Sequence, residues 1–197
     1  MTPSTSYIVG VDEVGRGPIA GPLLVCAVLI PENYDPKRLL GVNDSKQLSE
    51  DEREEWLAFA EFERDAGTIR WGFGWVESES IDAQGMSLAL RQAVTESLLR
   101  LEALNDSLHV FLDGSLHAPA MYRQETIIGG DAKVPAISLA SVIAKVTRDR
   151  HMTALAHTYP NYGFERHKGY GTKAHYEAIQ KHGLTPQHRR SFLTKLT

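Results

Sequence analysis

The chain has 197 residues, 42% of them hydrophobic, and a formal net charge of −4, which fits one large globular domain or one domain with an appended element. No apolar run approaches the ~20 residues of a membrane-spanning helix, and residues 1–6 lack the features of a secretory signal. We therefore expect a cytoplasmic protein without membrane association. The single cysteine, Cys26, lies in an apolar run, so we expect a buried, unreactive thiol and no intramolecular disulfide.

Basic and acidic residues are unevenly distributed along the chain. Residues 1–144 carry 11 Lys and Arg against 22 Asp and Glu, whereas residues 145–197 carry 10 against 3. In that last quarter the cations are interleaved with the aromatic residues Tyr159, Tyr162, Phe164, Tyr170 and Tyr176. Cations beside aromatic rings suit a partner that carries sugars, bases and phosphates. We expect a polyanion-binding surface, with a solvated basic helix face as the alternative.

Apolar runs and period-two alternation predict five strands, at residues 7–11, 23–30, 68–76, 109–112 and 126–128. A capping box predicts a helix that begins after Ser49, because Glu52 follows three residues later. Helical spacing of apolar residues predicts further helices at 87–104, 138–157 and 174–182. This order indicates an α/β fold with a mixed sheet and a C-terminal helical extension, divided at residue 160 into segments 1–160 and 161–197.

The most informative segment is Asp12-Glu13-Val14-Gly15-Arg16-Gly17, which follows the first predicted strand. Two adjacent carboxylates repel each other, so a fold that holds both near its interior usually also holds cations. The glycines of Gly15-Arg16-Gly17 allow the backbone to approach an anion while the arginine supplies charge. This combination predicts a divalent metal site beside a phosphate-binding loop.

Two further acids, Asp113 and Asp131, also follow predicted strands, at 109–112 and 126–128. In open α/β sheets, ligand sites collect at such strand ends, so the four acids are expected to converge. Oxygen ligands favour Mg²⁺ or Mn²⁺, and four carboxylates suit a two-metal site about 4 Å across that hydrolyses phosphodiesters. Taken singly, Asp113-Gly114 is also typical of an ordinary turn, and Asp131 of a loop acid.

Other residues suggest weaker alternatives. Ser45 lies between Asp44 and Lys46, but no base that would activate a serine nucleophile is identifiable. The spacing of His167, His175 and His182 does not match a zinc motif. Trp71 and Trp75 are expected in the core rather than on a stacking surface.

The chain closely resembles the bacterial ribonuclease HII family, the type 2 ribonucleases H. The resemblance rests on motifs that occur in the family's order over nearly the whole chain: residues 11–18 with 20–22, 43–49, 112–114, 130–131 leading to 140–149, 162–164 with 167–172, and 188–192. Any one of these motifs is weak, but together they are highly specific. The resemblance implies a ribonuclease H-like fold, in which a mixed five-stranded sheet is flanked by helices.

The resemblance also implies roles for individual residues. Asp12, Glu13, Asp113 and Asp131 match the four catalytic, metal-binding carboxylates, with Asp12 shared between two ions. Gly15-Arg16-Gly17 matches a loop whose backbone senses the ribose 2′-hydroxyl, and Tyr170 matches a tyrosine that packs on the adjacent sugar. Five cations match phosphate contacts: Lys46, Lys145, Arg148, Lys168 and Arg190.

We therefore expect an endonuclease that uses Mn²⁺ or Mg²⁺. It would cut the RNA strand of RNA–DNA hybrids, and cut 5′ to ribonucleotides embedded in duplex DNA. We expect a monomer, with a sliding clamp as the candidate protein partner. The alternatives are a non-catalytic duplex-binding module and a metal-dependent phosphohydrolase for small molecules; the basic, aromatic last quarter argues against the latter. Ribonuclease HIII, which carries an extra N-terminal domain, is disfavoured by the six residues before the first predicted strand.

Overall fold

The computed structural model describes residues 6–42, 45, 47–103 and 107–194. Its five-stranded sheet is built from β1 (Tyr7–Val14), β2 (Leu23–Pro31), β3 (Arg70–Val76), β4 (Leu108–Asp113) and β5 (Arg123–Ile127). The strand order is β3-β2-β1-β4-β5. The pairs β1–β2 and β2–β3 are antiparallel, whereas β1–β4 and β4–β5 are parallel. This arrangement confirms the predicted mixed sheet.

The helices are α1 (Glu50–Asp65), α2 (Ser78–Gln84), α3 (Met86–Leu99), α4 (Pro135–Thr158), α5 (Phe164–His167) and α6 (Lys173–His182). One face of the sheet packs against α3 through a core that includes Val9, Val25 and Val94. The other face packs against α1 and α4 through a core that includes Cys26 and Ile143. The sheet is therefore buried on both faces, and the Cys26 thiol is fully buried as predicted.

Helix α4 lies directly on β1, because β1 has a glycine at the point of contact. A Cβ atom placed on Gly10 would lie 2.1 Å from the backbone carbon of Ala136, so a larger residue would force the helix away. Asp12 follows two residues after Gly10 and therefore projects from the same face of the strand. The close contact thus brings the first half of α4 beside Asp12.

The C-terminal segment packs on the rest of the chain through a third cluster. Phe164 and Ile179 from this segment contact Ile19, Ala20 and Met152. A backbone bridge between Ala20 and His188 joins the same parts of the chain. The helical extension is present, while the division at residue 160 stays a prediction.

Several predicted boundaries differ from the structure. Strand β1 continues through Glu13 because its backbone pairs with β2 as far as Val14, so Asp12 and Glu13 lie within the strand rather than after it. Asp131 does not directly follow β5, but lies in a 3-10 turn, Gly130–Ala132. The short helices α2 and α5 were not predicted from the sequence, and α3 ends at Leu99. Within the described residues, no helix is both long and apolar enough to cross a membrane.

Candidate active site

The register of the parallel pair β1–β4 places two of the predicted acids side by side. Val11 pairs with Leu112, so the next residues in each strand, Asp12 and Asp113, are neighbours at the carboxyl end of the pair. The electrostatic effect of Asp113 on the pKa of Asp12 agrees with this proximity. Sheet register, rather than nearness in sequence, therefore brings these two carboxylates together.

A cleft of about 300 Å³ opens at this edge of the sheet. It contains three of the four predicted acids together with the glycine-flanked loop and Tyr170. Its lining residues are Asp12, Glu13, Val14, Gly15, Arg16, Gly17, Ser45, Asp113, Ser141, Lys145 and Tyr170. The structure therefore brings most of the predicted site residues into one cleft.

The surroundings of Asp12 perturb its pKa strongly. Its side chain is buried, and this burial, reinforced by the charges of Glu13 and Asp113, raises its pKa to about 8. A hydrogen bond from Ser141 and one from the backbone N–H of Glu13, at 2.8 Å, oppose this rise. Asp12 is thus an acid whose negative charge is poorly compensated by the protein alone.

The other acids are held by different partners. The carboxylate of Glu13 lies 3.7 Å from the guanidinium of Arg16. Asp113 accepts a 2.6 Å hydrogen bond from the backbone N–H of Gly130, which ties the end of β4 to the turn that carries Asp131. Asp131 is 7% exposed, does not line the cleft, and accepts a hydrogen bond from Ser138 on its carbonyl oxygen.

The carboxylate oxygens that border the cleft are suitable ligands for a divalent cation. Among the described residues, no three His, Cys, Asp or Glu side chains form a ready-made metal-ligand group. However, the oxygens of Asp12, Glu13 and Asp113 border one cleft, and a cation beside them would supply the countercharge that Asp12 lacks. Hard cations such as Mg²⁺ and Mn²⁺ prefer oxygen ligands of this kind.

The glycine-flanked loop requires glycine at its first position. Gly15 has φ of +87°, and a Cβ atom there would lie 2.3 Å from Nε of Arg148. Tyr170 lies across the loop, since a Cβ on Gly17 would be 3.8 Å from its ring, and the tyrosine is 46% exposed. The loop and an accessible aromatic ring therefore border the acids, as the sequence predicts.

The five predicted phosphate contacts have different surroundings. Lys145 lines the cleft and pairs with Asp149 at 2.8 Å. Lys168 lines a neighbouring cavity, where its ammonium donates to Thr153 and to the carbonyl of Glu165, and Arg190 is exposed near α2. Lys46 lies outside the described residues, as do Asn43 and Asp44 of the same motif.

For Arg148 the structure requires a correction. The side chain is fully buried, and its guanidinium donates to the backbone carbonyls of Ala20, Pro22 and Lys168. With its donors engaged inside the protein, Arg148 is not available as a surface phosphate contact. It instead ties Ala20 and Pro22, which follow the glycine-flanked loop, to Lys168, two residues before Tyr170.

The basic, aromatic last quarter is also less exposed than the sequence suggests. Tyr162 and Phe164 are buried in the C-terminal cluster, whereas Tyr170 is exposed at the cleft. Arg189 is buried as completely as Arg148. Part of the positive charge that indicated a polyanion-binding surface therefore lies beneath the loop rather than on a surface.

Sequence reasoning gave no role to Ser141 or Arg189, although both lie in the motifs that carry the resemblance. Ser141 hydrogen-bonds to Asp12, and its hydroxyl lies 2.9 Å from that of Ser45. Ser45 is therefore a buried hydrogen-bonding group in this network, which accounts for it without a nucleophilic role. No periodicity signals a buried arginine, because arginine is mostly exposed in proteins.

Comparisons with known proteins show which family the chain resembles in sequence and fold. The chain matches the family model described as Ribonuclease HII over residues 9–195. It is 46% identical over 187 residues to a Ribonuclease HII of Bacillus anthracis (strain CDC 684 / NRRL 3495), a match that covers 95% of this chain and 69% of that protein.

Two solved structures share the fold. The ribonuclease H2 from Pyrococcus horikoshii OT3 has a TM-score of 0.72 and 27% identity, with 96% of each chain covered. A chain in the structure of the PCNA:RNase HII complex from Archaeoglobus fulgidus has a TM-score of 0.73 and 28% identity, with 93% of each chain covered. These matches confirm the resemblance read from the motifs: the chain belongs to the ribonuclease HII family and is a ribonuclease H.

Proposed function

We propose that the chain cuts the RNA strand of RNA–DNA hybrids and cuts 5′ to single ribonucleotides embedded in duplex DNA, leaving 3′-hydroxyl and 5′-phosphate ends. These activities would serve ribonucleotide removal and the processing of Okazaki primers. One observation carries the proposal: a single cleft contains three acids, the Gly15-Arg16-Gly17 loop and Tyr170. Groups suited to phosphodiester hydrolysis and groups suited to ribose recognition are therefore within reach of one substrate.

The acids would hold two divalent cations, Mn²⁺ or Mg²⁺. Asp12, Glu13, Asp113 and Asp131 would provide the carboxylate oxygens that hold these ions. When bound, the ions supply an activated water and stabilise the leaving oxygen of the phosphodiester. The hydrogen bonds from Ser141 to Asp12 and from Gly130 to Asp113 would orient these carboxylates toward the ions.

The loop would select the ribonucleotide. The 2′-hydroxyl distinguishes RNA from DNA at a given nucleotide, and backbone groups with a tyrosine can contact it without reading a base. Gly15, Arg16, Gly17 and Tyr170 border the acids, so this contact would place the adjacent phosphodiester beside the cations. Lys145 in the cleft would contact a phosphate, as would Lys46, Lys168 and Arg190 along the duplex.

We further propose that the chain acts as a monomer in the cytoplasm and works with a sliding clamp. The clamp is suggested by the Archaeoglobus fulgidus relative, whose structure was solved as a complex with PCNA. Membership of a ribonuclease family supports catalysis over the alternative of a non-catalytic duplex-binding module.

The test is hydrolysis of an RNA–DNA hybrid in the presence of Mg²⁺, of Mn²⁺ or of EDTA, followed by analysis of the product ends. We expect cleavage with either divalent ion, none in EDTA, and products that carry 5′-phosphates. Cleavage in EDTA, or products with 5′-hydroxyl ends, would contradict the metal-dependent mechanism.

A further inference from the structure

The loop from Gly15 to Gly21 is organised around one buried side chain, that of Arg189. Its Nη2 donates to the carbonyls of Gly15 at 2.6 Å and Gly21 at 2.7 Å. Its Nη1 donates to the carbonyls of Pro18 at 2.9 Å and Arg16 at 3.1 Å, and its Nε donates to Gly21 at 3.0 Å. All five N–H groups of the guanidinium are therefore used on the loop backbone.

The hydrogen-bond partners of this buried arginine carry no charge. Arg189 is 0% exposed, yet its five hydrogen bonds go to neutral carbonyls rather than to a carboxylate. Burial lowers its pKa to about 10, so the guanidinium remains charged at neutral pH. Burying a charge is costly, and the fold recovers that cost only while the loop keeps its carbonyls pointed at Arg189.

The direction of these carbonyls fixes the direction of the loop amides. In a planar trans peptide the C=O of one residue and the N–H of the next point in opposite directions. Because the carbonyls of Gly15 and Arg16 point inward to Arg189, the amides of Arg16 and Gly17 point outward. Within the described part of the chain, neither amide has a hydrogen-bond acceptor, and both residues line the cleft.

We propose that Arg189 is a positioning residue for substrate selection. It holds two peptide planes so that the amides of Arg16 and Gly17 project into the cleft as donors for the ribose 2′-oxygen and its neighbouring phosphate. This inference rests on the proposed reading of the 2′-hydroxyl. Lysine cannot replace arginine in this role, because an ammonium group has three donors and lacks the planar fork that spans four carbonyls.

The test uses Arg189→Lys and compares affinities for two duplexes that differ by one 2′-hydroxyl. Fluorescence anisotropy in EDTA, which prevents cleavage, gives the ratio of the dissociation constants of the all-DNA and single-ribonucleotide duplexes. We expect the wild type to favour the ribonucleotide, and Arg189→Lys to reduce this ratio by about fivefold, the effect of losing one oriented hydrogen bond.

Glu63→Gln is the matched control. Glu63, in the last turns of α1, is a buried charge that pairs with Arg38 and does not line the cleft. Its substitution should lower stability without touching the loop, so the binding ratio should stay at the wild-type value. An unchanged ratio in Arg189→Lys, or an equal loss in Glu63→Gln, would overturn the role of Arg189. A wild-type ratio of one would instead overturn the proposed reading of the 2′-hydroxyl.

A second measurement needs no variant and covers the case in which Arg189→Lys fails to fold. In the wild-type protein, NMR should show the Arg16 and Gly17 amides exchanging rapidly with solvent. Both resonances should shift when the single-ribonucleotide duplex is added, more than when the all-DNA duplex is added. Protected amides, or equal shifts with the two duplexes, would contradict the proposed orientation.

Discussion

Asp12 lies at the end of the β1–β4 pair, beside the first half of α4 and just before the glycine-flanked loop. Its pKa of about 8 reflects burial, reinforced by the charges of Glu13 and Asp113. Three neighbouring carboxylates repel one another, and cations in the cleft would offset this repulsion. The backbone N–H of Gly130 donates to Asp113, so the turn that carries Asp131 is tied to the end of β4. Asp12, Glu13 and Asp113 thus border one cleft, although they come from two strands that are distant in sequence.

Asp131→Asn should abolish turnover while duplex binding survives, because the amide keeps the size of the carboxylate but removes the charge that a divalent cation requires. Cleavage rates and duplex affinity measured on the same preparation check this. Asp65→Asn, at an exposed acid of α1, is the control and should retain wild-type rates. Retained cleavage in Asp131→Asn would remove Asp131 from the site.

Tyr170→Ala should slow cutting at a single embedded ribonucleotide more than cutting of a long hybrid. The ring lies against Gly17 and is accessible, so its loss removes the contact with one specific sugar. A long hybrid offers many alternative positions for the same cut. Rates on the two substrates check this, and equal slowing on both would refute the role of Tyr170 in junction recognition.

For single residues, the sequence was informative where the residue types themselves indicate a function. Adjacent acids at a strand end and a glycine-flanked arginine have few other uses, so the segment from Asp12 to Gly17 could be assigned to a site at once. Arg148 could not be read correctly, because its charge suggests a surface contact and only the folded chain shows that its guanidinium is buried on carbonyls. For the same reason, the sequence did not reveal that Arg189 is buried against the loop carbonyls.

At the scale of elements, the contact between α4 and β1 positions the site. Gly10 lets the backbone of α4 approach β1, and Ser141 from α4 then reaches Asp12. The sequence predicted both elements from their apolar patterns. It could not show that β1 extends through Glu13, since this extension depends on pairing with β2, a contact between residues distant in sequence.

Gly10→Ala should destabilise the fold by about 3 kcal/mol or more, because the new Cβ would overlap the backbone of Ala136 and push α4 from the sheet. Urea unfolding gives the change in the free energy of unfolding. Any folded protein that remains should also be less active, since α4 carries Ser141. A loss below about 1 kcal/mol would contradict the close packing of α4 on β1.

At the scale of the whole molecule, a chain of buried hydrogen bonds connects the cleft to the C-terminal segment. Nδ1 of His175 donates to the carbonyl of Tyr170 at 2.9 Å, and the Nε2 atoms of His175 and His188 lie 3.1 Å apart. Nδ1 of His188 accepts from the backbone N–H of Thr185 at 2.9 Å. These bonds are satisfied only when both imidazoles are neutral, with His188 donating to His175.

This pair predicts a loss of stability in acid. Burial lowers the pKa of both His175 and His188 from 6.5 to about 4. Between these values the unfolded chain binds more protons than the folded chain, so the free energy of unfolding falls as the pH falls from about 7 toward 4. Urea unfolding across this range checks the slope.

His188→Gln should flatten that slope, whereas His157→Gln, at an exposed histidine of α4, should leave it unchanged. A slope that is the same in the wild type and in His188→Gln would show that other groups cause the acid sensitivity.

In the proposed mechanism, one cleft both recognises a ribonucleotide and cuts beside it. The most direct measurement is cleavage, in Mg²⁺ or Mn²⁺, of two DNA duplexes that differ by a single 2′-hydroxyl. We predict one incision immediately 5′ to the ribonucleotide and none in the all-DNA duplex. Equal cutting of both duplexes, or no cut at the ribonucleotide, would contradict this mechanism.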